Sequence, residues 1–262
     1  MLTVAALTDV GLCMEINEDA LSVFAVGSPA PPVVSGGAAV SLSSPAVVLG
    51  VYDGTGDGYP EGPGGNPGHL AARIVSERLA AVAATAAVVE PAGLLRAALA
   101  AAGDAIFAAH HGRGAIVVTT ATLALVVSDH VSIANVGDSR AYLFRAMALT
   151  QLTRDDTLVA DLVESGQLAP AEVETYSHRT VITRALGFAK DTEVRITAHT
   201  LQPDDVLLLC TGGLWRLVGD DALAAILARP ERPEALCRLL VEAVHRAGGH
   251  DNVTVVVAVC AH

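Results

Sequence analysis

Two aspartates stand where buried strands meet glycine-containing turns. Asp53 follows the apolar run Ala46-Val47-Val48-Leu49-Gly50-Val51-Tyr52, and Asp251 with Asn252 precedes the run Val253 to Val259. Carboxylates at strand mouths suit a hard divalent cation, which takes carboxylate, carbonyl and water oxygens. Asp53 could bridge two ions while the carbonyl of Gly54 supplies a further oxygen, glycine letting the backbone turn close to a metal. Water held between such ions loses a proton more readily and becomes a nucleophile, which is hydrolase chemistry. Two similar clusters, Asn17-Glu18-Asp19 and Gly137-Asp138-Ser139-Arg140, also abut strand-like runs. Taken alone, each cluster reads as an ordinary turn at a strand end. Asp53 and Asp251 lie 198 residues apart, so only a fold that gathers strand ends can make them partners.

The elements that must do the gathering are legible as valine-rich runs at Ala46 to Tyr52, Ala115 to Val127, Val131 to Val136, Ala141 to Phe144, Asp205 to Cys210 and Val253 to Val259. Helical stripes occur at Ala71, Val75, Leu79 and Val82, and at Leu95, Leu99, Ala102 and Ile106 behind the start signal Glu90-Pro91. A late helix is expected from Pro233 with Leu236, Leu240 and Ala243 inward, and a short one over Leu158 to Ser165, ended by Gly166. Strands in runs with helix pairs between them indicate an α+β layered domain rather than a doubly wound sheet. A hairpin at Ser128-Asp129-His130 supports antiparallel pairing. The stretches Ser28 to Pro45 and Gly54 to Gly68, the latter with seven glycines and three prolines, read as loops inside one domain spanning 1–262.

Composition narrows the function. Apolar residues make up 52% of the 262, enough for a large core, while aromatics are only 3%. The net charge is −12, and the first 72 residues hold seven carboxylates and no lysine or arginine. An acidic surface poor in aromatics argues against nucleic acid as a partner and favours cations. No basic leader and no uncharged apolar stretch of about 18 residues is present, which leads to the expectation of a cytoplasmic protein without a membrane partner. Cys13, Cys210, Cys237 and Cys260 lack C-x-x-C spacing and read as reduced thiols rather than zinc ligands.

Taken in order, the clusters resemble the metal-dependent protein phosphatases of type 2C, which act on phosphoserine and phosphothreonine. Thr8-Asp9-Val10-Gly11 with Asn17-Glu18-Asp19 looks like that family's opening motif, and Val51-Tyr52-Asp53-Gly54-Thr55-Gly56 like its metal loop. Thr119-Thr120, Asn135 to Tyr142, Leu152-Thr153-Arg154-Asp155-Asp156, Ile182 to Gly187, Asp205 to Leu214 and His250 to Thr254 continue the series. The resemblance implies a four-layer sandwich, two antiparallel β-sheets flanked by helix pairs, with a manganese or magnesium centre at one end. By position it implies that Asp53 bridges two metals, Gly54 gives its carbonyl and Asp251 binds the first metal. Asp53 and Asp251 would thus act through metal-bound water. Asp138 would contribute to a third metal, and Asp19 would act from behind through water, with Glu18 and Asn252 beside the cluster. A phosphoprotein or a kinase is the implied partner, and a monomer the expected state.

Four departures qualify that expectation. The family's S-D-G-L, whose aspartate binds metal, reads Thr211-Gly212-Gly213-Leu214 here, so metal binding should be weak and a carboxylate restored at Gly212 should raise hydrolysis. Met14 stands where bacterial members carry the arginine that grips phosphate. The loop histidine is absent, His69 being the next one, and Val118 replaces the glycine of the G-T-T turn. Asp57, Asp155 and Asp156 read as solvated loop acids rather than substitutes for the missing ligand. Two readings follow: a phosphatase with a weakened metal site, and a pseudophosphatase acting as an interaction or regulatory module.

Overall fold

In the computed structural model, which describes residues 2–26, 38–40, 46–56, 69–71, 73–75, 77–78, 90–111 and 117–260, the valine-rich runs pair into two antiparallel sheets. One sheet runs β3 (Ala38–Val40), β1 (Leu2–Asp9), β12 (Val253–Cys260), β11 (Val206–Cys210), β8 (Arg140–Arg145), β9 (Ala148–Gln151). The other runs β10 (Arg195–Thr200), β7 (His130–Val136), β6 (Ala121–Val127), β4 (Ala46–Gly56), β2 (Asp19–Ala25), and β5 (Val117–Thr119) pairs the far end of β4. Leu21, Leu49, Val51 and Ile133 of the second sheet meet Val4, Leu207, Leu209 and Val256 of the first in a core between the sheets. On the outer face of the second sheet lies α1 (Pro91–His110), its stripe Leu95, Leu99, Ala102 and Ile106 buried with Ala71 and Val75 from helical residues between positions 69 and 78. The first sheet is covered by α3 (Gly212–Trp215), α4 (Asp220–Leu227) and α5 (Pro233–Arg246). The expected four layers are thus present. Although α1 is long and apolar enough to cross a membrane, its stripe is spent on the sheet.

Strand alternation decides what the sandwich presents at its end. Side chains two apart share a face, so Val47, Leu49 and Val51 point between the sheets while Val48 and Tyr52 point to the helices. By the same step Asp53 is the next side chain on the inner face. The pattern repeats in the neighbours. After Val23 and Leu21 comes Asp19, after Val126 and Ala124 come Thr122 and Thr120, and Leu207 and Leu209 lead to Thr211. Val256 is preceded by Thr254, and Ile133 is followed by Asn135. At one end the dry inter-sheet core therefore becomes a buried polar layer.

Some expectations are corrected. The run Ala115 to Val127 is two strands broken at Thr120, whose backbone N–H turns to the Asp53 carbonyl at 2.8 Å. Ser28 to Pro45 is not all loop, since Ala38–Val40 pairs with Val4 to Ala6 as an edge strand. Gly54 to Gly56 continues β4, while 57–68, with Asp57, and the stripe members Leu79 and Val82 lie outside the described residues. In α5 the buried face is Leu236, Cys237, Leu240, Val241 and Val244, with Ala243 at its border. The short helix α2 (Leu158–Glu164) starts on the Thr157 cap and stops before Gly166, whose φ of +73° suits glycine.

Asp156 is not a solvated acid. It is fully buried, accepting from Arg184 at 2.7 Å, Arg195 at 2.9 Å and the Gly137 N–H at 3.1 Å, and its own carbonyl accepts from Thr183. It therefore ties the β7–β8 turn, which carries Asp138, to the segment around α2. Asp155 is likewise committed, in a fork with Arg140. Neither is available to a metal. Removing one partner of a buried ion pair leaves the others uncompensated, so Asp156→Ala is expected to cost about 3–5 kcal/mol. A urea denaturation midpoint unchanged from wild type would contradict this.

Candidate functional site

Asp53 and Asp19 are direct cross-strand partners on β4 and β2, which puts their side chains side by side on the inner face. The Asp53 backbone is clamped by the Thr-Thr pair that ends β5. Thr120 Oγ1 accepts from its N–H at 3.1 Å, and its carbonyl accepts from Thr119 Oγ1 at 3.0 Å. That leaves the carboxylate free to face the cleft. Asp19 is buried, and its Oδ2 accepts from Thr211 Oγ1 at 2.7 Å, linking the two sheets. A water-mediated role behind a metal, as expected for Asp19, is compatible with this position.

Asp251 reaches the same end from the first sheet, just before β12. Its neighbour Asn252 organises the loop opposite: its amide donates to the carbonyls of Val10 and Ile16 at 2.9 and 3.0 Å, and its Oδ1 accepts from the Glu18 N–H at 2.8 Å. Gly11, with φ +79°, lies so close to the Asp251 and Gly249 carbonyls that any side chain would collide. The result is a loop held beside Asp251 but facing outward, with Leu12, Met14 and Ile16 exposed. Met14 thus occupies the loop that borders the site. His69 starts the helical residues after the glycine-rich stretch, and its Nε2 lies 3.0 Å from the Asp19 carbonyl.

Asp138 is the fourth carboxylate at this end, and sequence reasoning missed its partner. The turn residue Gly137, φ +98°, packs against Thr120, and the Asp138 side chain is completely buried. Its Oδ2 accepts from Arg216 Nη2, while Arg216 Nη1 stands 3.8 Å from Asp251 Oδ2. The Trp215 indole donates to the Asp138 carbonyl at 2.9 Å, and Arg140 stacks on that indole at 3.5 Å. The available signal was the four-residue spacing of Gly212 and Arg216 in one helical turn.

Burial, then the charges of Asp19, Asp138 and Asp251, hold the Asp53 carboxyl well above the usual range, with Arg216 opposing. Burial pushes Asp19 up to about 7; hydrogen bonds from Thr211 and Thr254 resist, and the charges of Asp251 and Glu18 add to the rise. Asp138 is raised by burial against the pull of Arg216. Among the described residues these four carboxylates have one arginine within ion-pairing distance, which leaves a deficit of positive charge. Asp138 Oδ1 and Arg216 Nε are buried without a hydrogen-bond partner. Among the described residues no three carboxylate, imidazole or thiolate side chains form a ready metal cage. A hard cation that keeps several waters does not require one, so the set Asp53, Gly54 carbonyl and Asp251 fits such an ion on chemistry and charge. Val118 pairs with Thr55 and lines a cavity of about 280 Å³ with Asp53, Thr120, Arg184 and Phe188.

A sign follows for the metal-free protein. The folded state holds these protons more tightly than the unfolded chain, whose aspartates titrate near 3.8, so stability falls as pH rises from about 4 through 7. Asp129 and Asp161, shifted downward, change below this window. In EDTA the Tm is expected to be about 5 °C or more higher at pH 5 than at pH 8, and Asp19→Asn should flatten the slope. A Tm that climbs with pH would refute the assignment.

Comparison with known proteins accords with this geometry. The family model described as Protein phosphatase 2C matches residues 68–253. The serine/threonine protein phosphatase PstP of Mycobacterium tuberculosis is 38% identical over 204 residues, covering 74% of this chain. The chain spans 38% of that relative's own length. A crystal structure of M. tuberculosis PstP superposes with a TM-score of 0.78 at 32% identity, covering 100% of this chain and 99% of the other. A PstP catalytic domain in complex with two manganese ions gives 0.76 at 31%, with the same coverages. The chain belongs to the protein phosphatase 2C family.

Proposed function

We propose that this chain is a protein serine/threonine phosphatase domain with a reduced metal centre, hydrolysing exposed phosphoserine or phosphothreonine with manganese or magnesium. The observation that carries the reading is the convergence of Asp19, Asp53, Asp138 and Asp251 at one end of the sandwich with a single arginine among them. Asp53, the Gly54 carbonyl and Asp251 would hold the ion, which when bound supplies an acidified water and neutralises phosphate charge. Thr119 and Thr120 fix the Asp53 backbone, and Thr211 fixes Asp19. The cavity beside Asp53 receives the phosphorylated side chain between Thr119 and Thr120 on one side and the segment Thr180 to Ala185 on the other. Its guanidinium, Arg184, is already held by Asp156 and Glu193, and Met14 offers no donor, so the phosphate is gripped weakly. The partner is a phosphoprotein substrate or its kinase, in the cytoplasm.

The insertion of Arg216 among the acids favours a second reading, a catalytically silent domain that binds a phosphoprotein or kinase without turnover. Hydrolysis of an aryl phosphate and a phosphothreonine peptide, followed alongside manganese calorimetry, separates the two. Under the first reading manganese binds and supports turnover, and Asp53→Ala removes both. Absence of any manganese uptake or turnover by wild type favours the silent domain. Met14→Arg is expected to lower KM for the phosphopeptide about tenfold with kcat little changed, since a bidentate fork adds ground-state grip. An unchanged KM would remove Met14 from the account of weak binding.

A further inference from the structure

Gly212 and Arg216 form one device. Helical side chains lean toward the N-terminus, so a long residue covers the turn before it. In α3 the Arg216 guanidinium accordingly folds back over Gly212. A Cβ placed on Gly212 would lie 2.8 Å from Cζ and 3.0 Å from both Nε and Nη1. Thus the glycine is more than a missing ligand, because its bareness makes the space the guanidinium fills. From there Arg216 donates to the buried Asp138 and stands 3.8 Å from Asp251. Asp138 has no other cation within ion-pairing distance among the described residues. An aspartate simply added at 212 would meet this guanidinium rather than a metal ion, which revises the expectation that restoring the carboxylate alone raises hydrolysis.

We infer that Arg216 is a resident cation: its guanidinium replaces a divalent ion in neutralising Asp138 and part of Asp251, leaving room for one metal ion at Asp53. The inference rests on the reading that Asp53 and Asp251 face a metal, and it adds which position has been surrendered. Arginine suits the role because its charge is permanent and its planar fork reaches two carboxylates at once. It carries one charge rather than two and has no open coordination position. It can therefore hold the acids together and cannot activate water.

The test combines manganese calorimetry with thermal unfolding in EDTA for wild type, Arg216→Gln, Arg216→Lys, Gly212→Asp and Gly212→Asp/Arg216→Gln. Arg216→Gln is expected to lose about 5–10 °C in EDTA, to recover with manganese and to bind one more ion than wild type. Arg216→Lys, which keeps the charge, should retain wild-type stoichiometry. Gly212→Asp alone should leave manganese affinity unchanged, and the double variant should tighten it at least tenfold. If Arg216→Gln folds only with manganese, that supports the device; if it fails to fold in manganese as well, the inference falls. It falls also if Arg216→Gln matches wild type in EDTA and stoichiometry, or if Gly212→Asp alone gains as much as the double variant. Wild type taking up no manganese and showing no turnover would end the phosphatase reading, while gain of manganese by Arg216→Gln would still uphold the role of Arg216.

Discussion

Like charges packed at the mouth of a low-dielectric sandwich repel, and that repulsion is the constraint around which this end of the molecule is arranged. Asp19, Asp53, Asp138 and Asp251 come from two sheets and four separate stretches of chain. Asp19 and Asp138 could not be buried so near the other two without compensation. Three forms of compensation are present. Arg216 supplies a charge, threonine hydroxyls supply neutral hydrogen bonds, and raised carboxyl affinities for protons permit part of the charge to vanish. A divalent cation would be a fourth form, and the only one of the four that also brings water to a phosphate.

Strand alternation supplies the platform at little cost. The inner face of each strand is apolar until its last positions, where Thr8, Thr120, Thr122, Asn135, Thr211 and Thr254 replace aliphatic residues of similar bulk. Their hydroxyls bond to one another and to the acids, as in Thr8 with Thr254 at 2.7 Å and Thr120 with Ser139 at 2.7 Å. The layer thus passes from dry core to carboxylates with its hydroxyls and amides hydrogen-bonded, and Thr119 and Thr120 clamp the Asp53 backbone from both sides. On the opposite, helix-facing side, Gly50 leaves the space that Ser22, Leu123 and the Tyr52 hydroxyl occupy, and a side chain there would strike them.

Much of this is written in local pattern. The β-branched runs marked β4 to β8, β11 and β12, and the stripe of α1 matched its buried face while that of α5 did so at Leu236 and Leu240, because burial on one face imposes those periods directly. Strands β1 and β2, which carry no valine run, were missed, as were the edge strands β3, β9 and β10, which are short or half exposed and so free of a strong pattern. At the site, single residues such as Asp53 and Asp251 were legible by type and position. Pairings were not. That Asp156 is a buried hub for Arg184 and Arg195, and that Arg216 answers Asp138, depends on contacts across 28 to 78 positions that no local period encodes.

The departures from the family pattern therefore differ in kind. Met14 lies exposed on the loop beside Asp251, so under the proposed function its substitution bears on how tightly a phosphate is held and leaves the acid cluster untouched. The exchange of a metal-binding aspartate for Gly212 removes a negative side chain and admits the Arg216 guanidinium to the acid cluster. Such an exchange is coherent only if integrity of the sandwich end no longer depends on a full set of metal ions. It separates two duties that divalent ions otherwise combine, holding carboxylates together and activating water. On the inference drawn for Arg216, it takes the first duty at Asp138, and the second is left to the ion that Asp53 would hold.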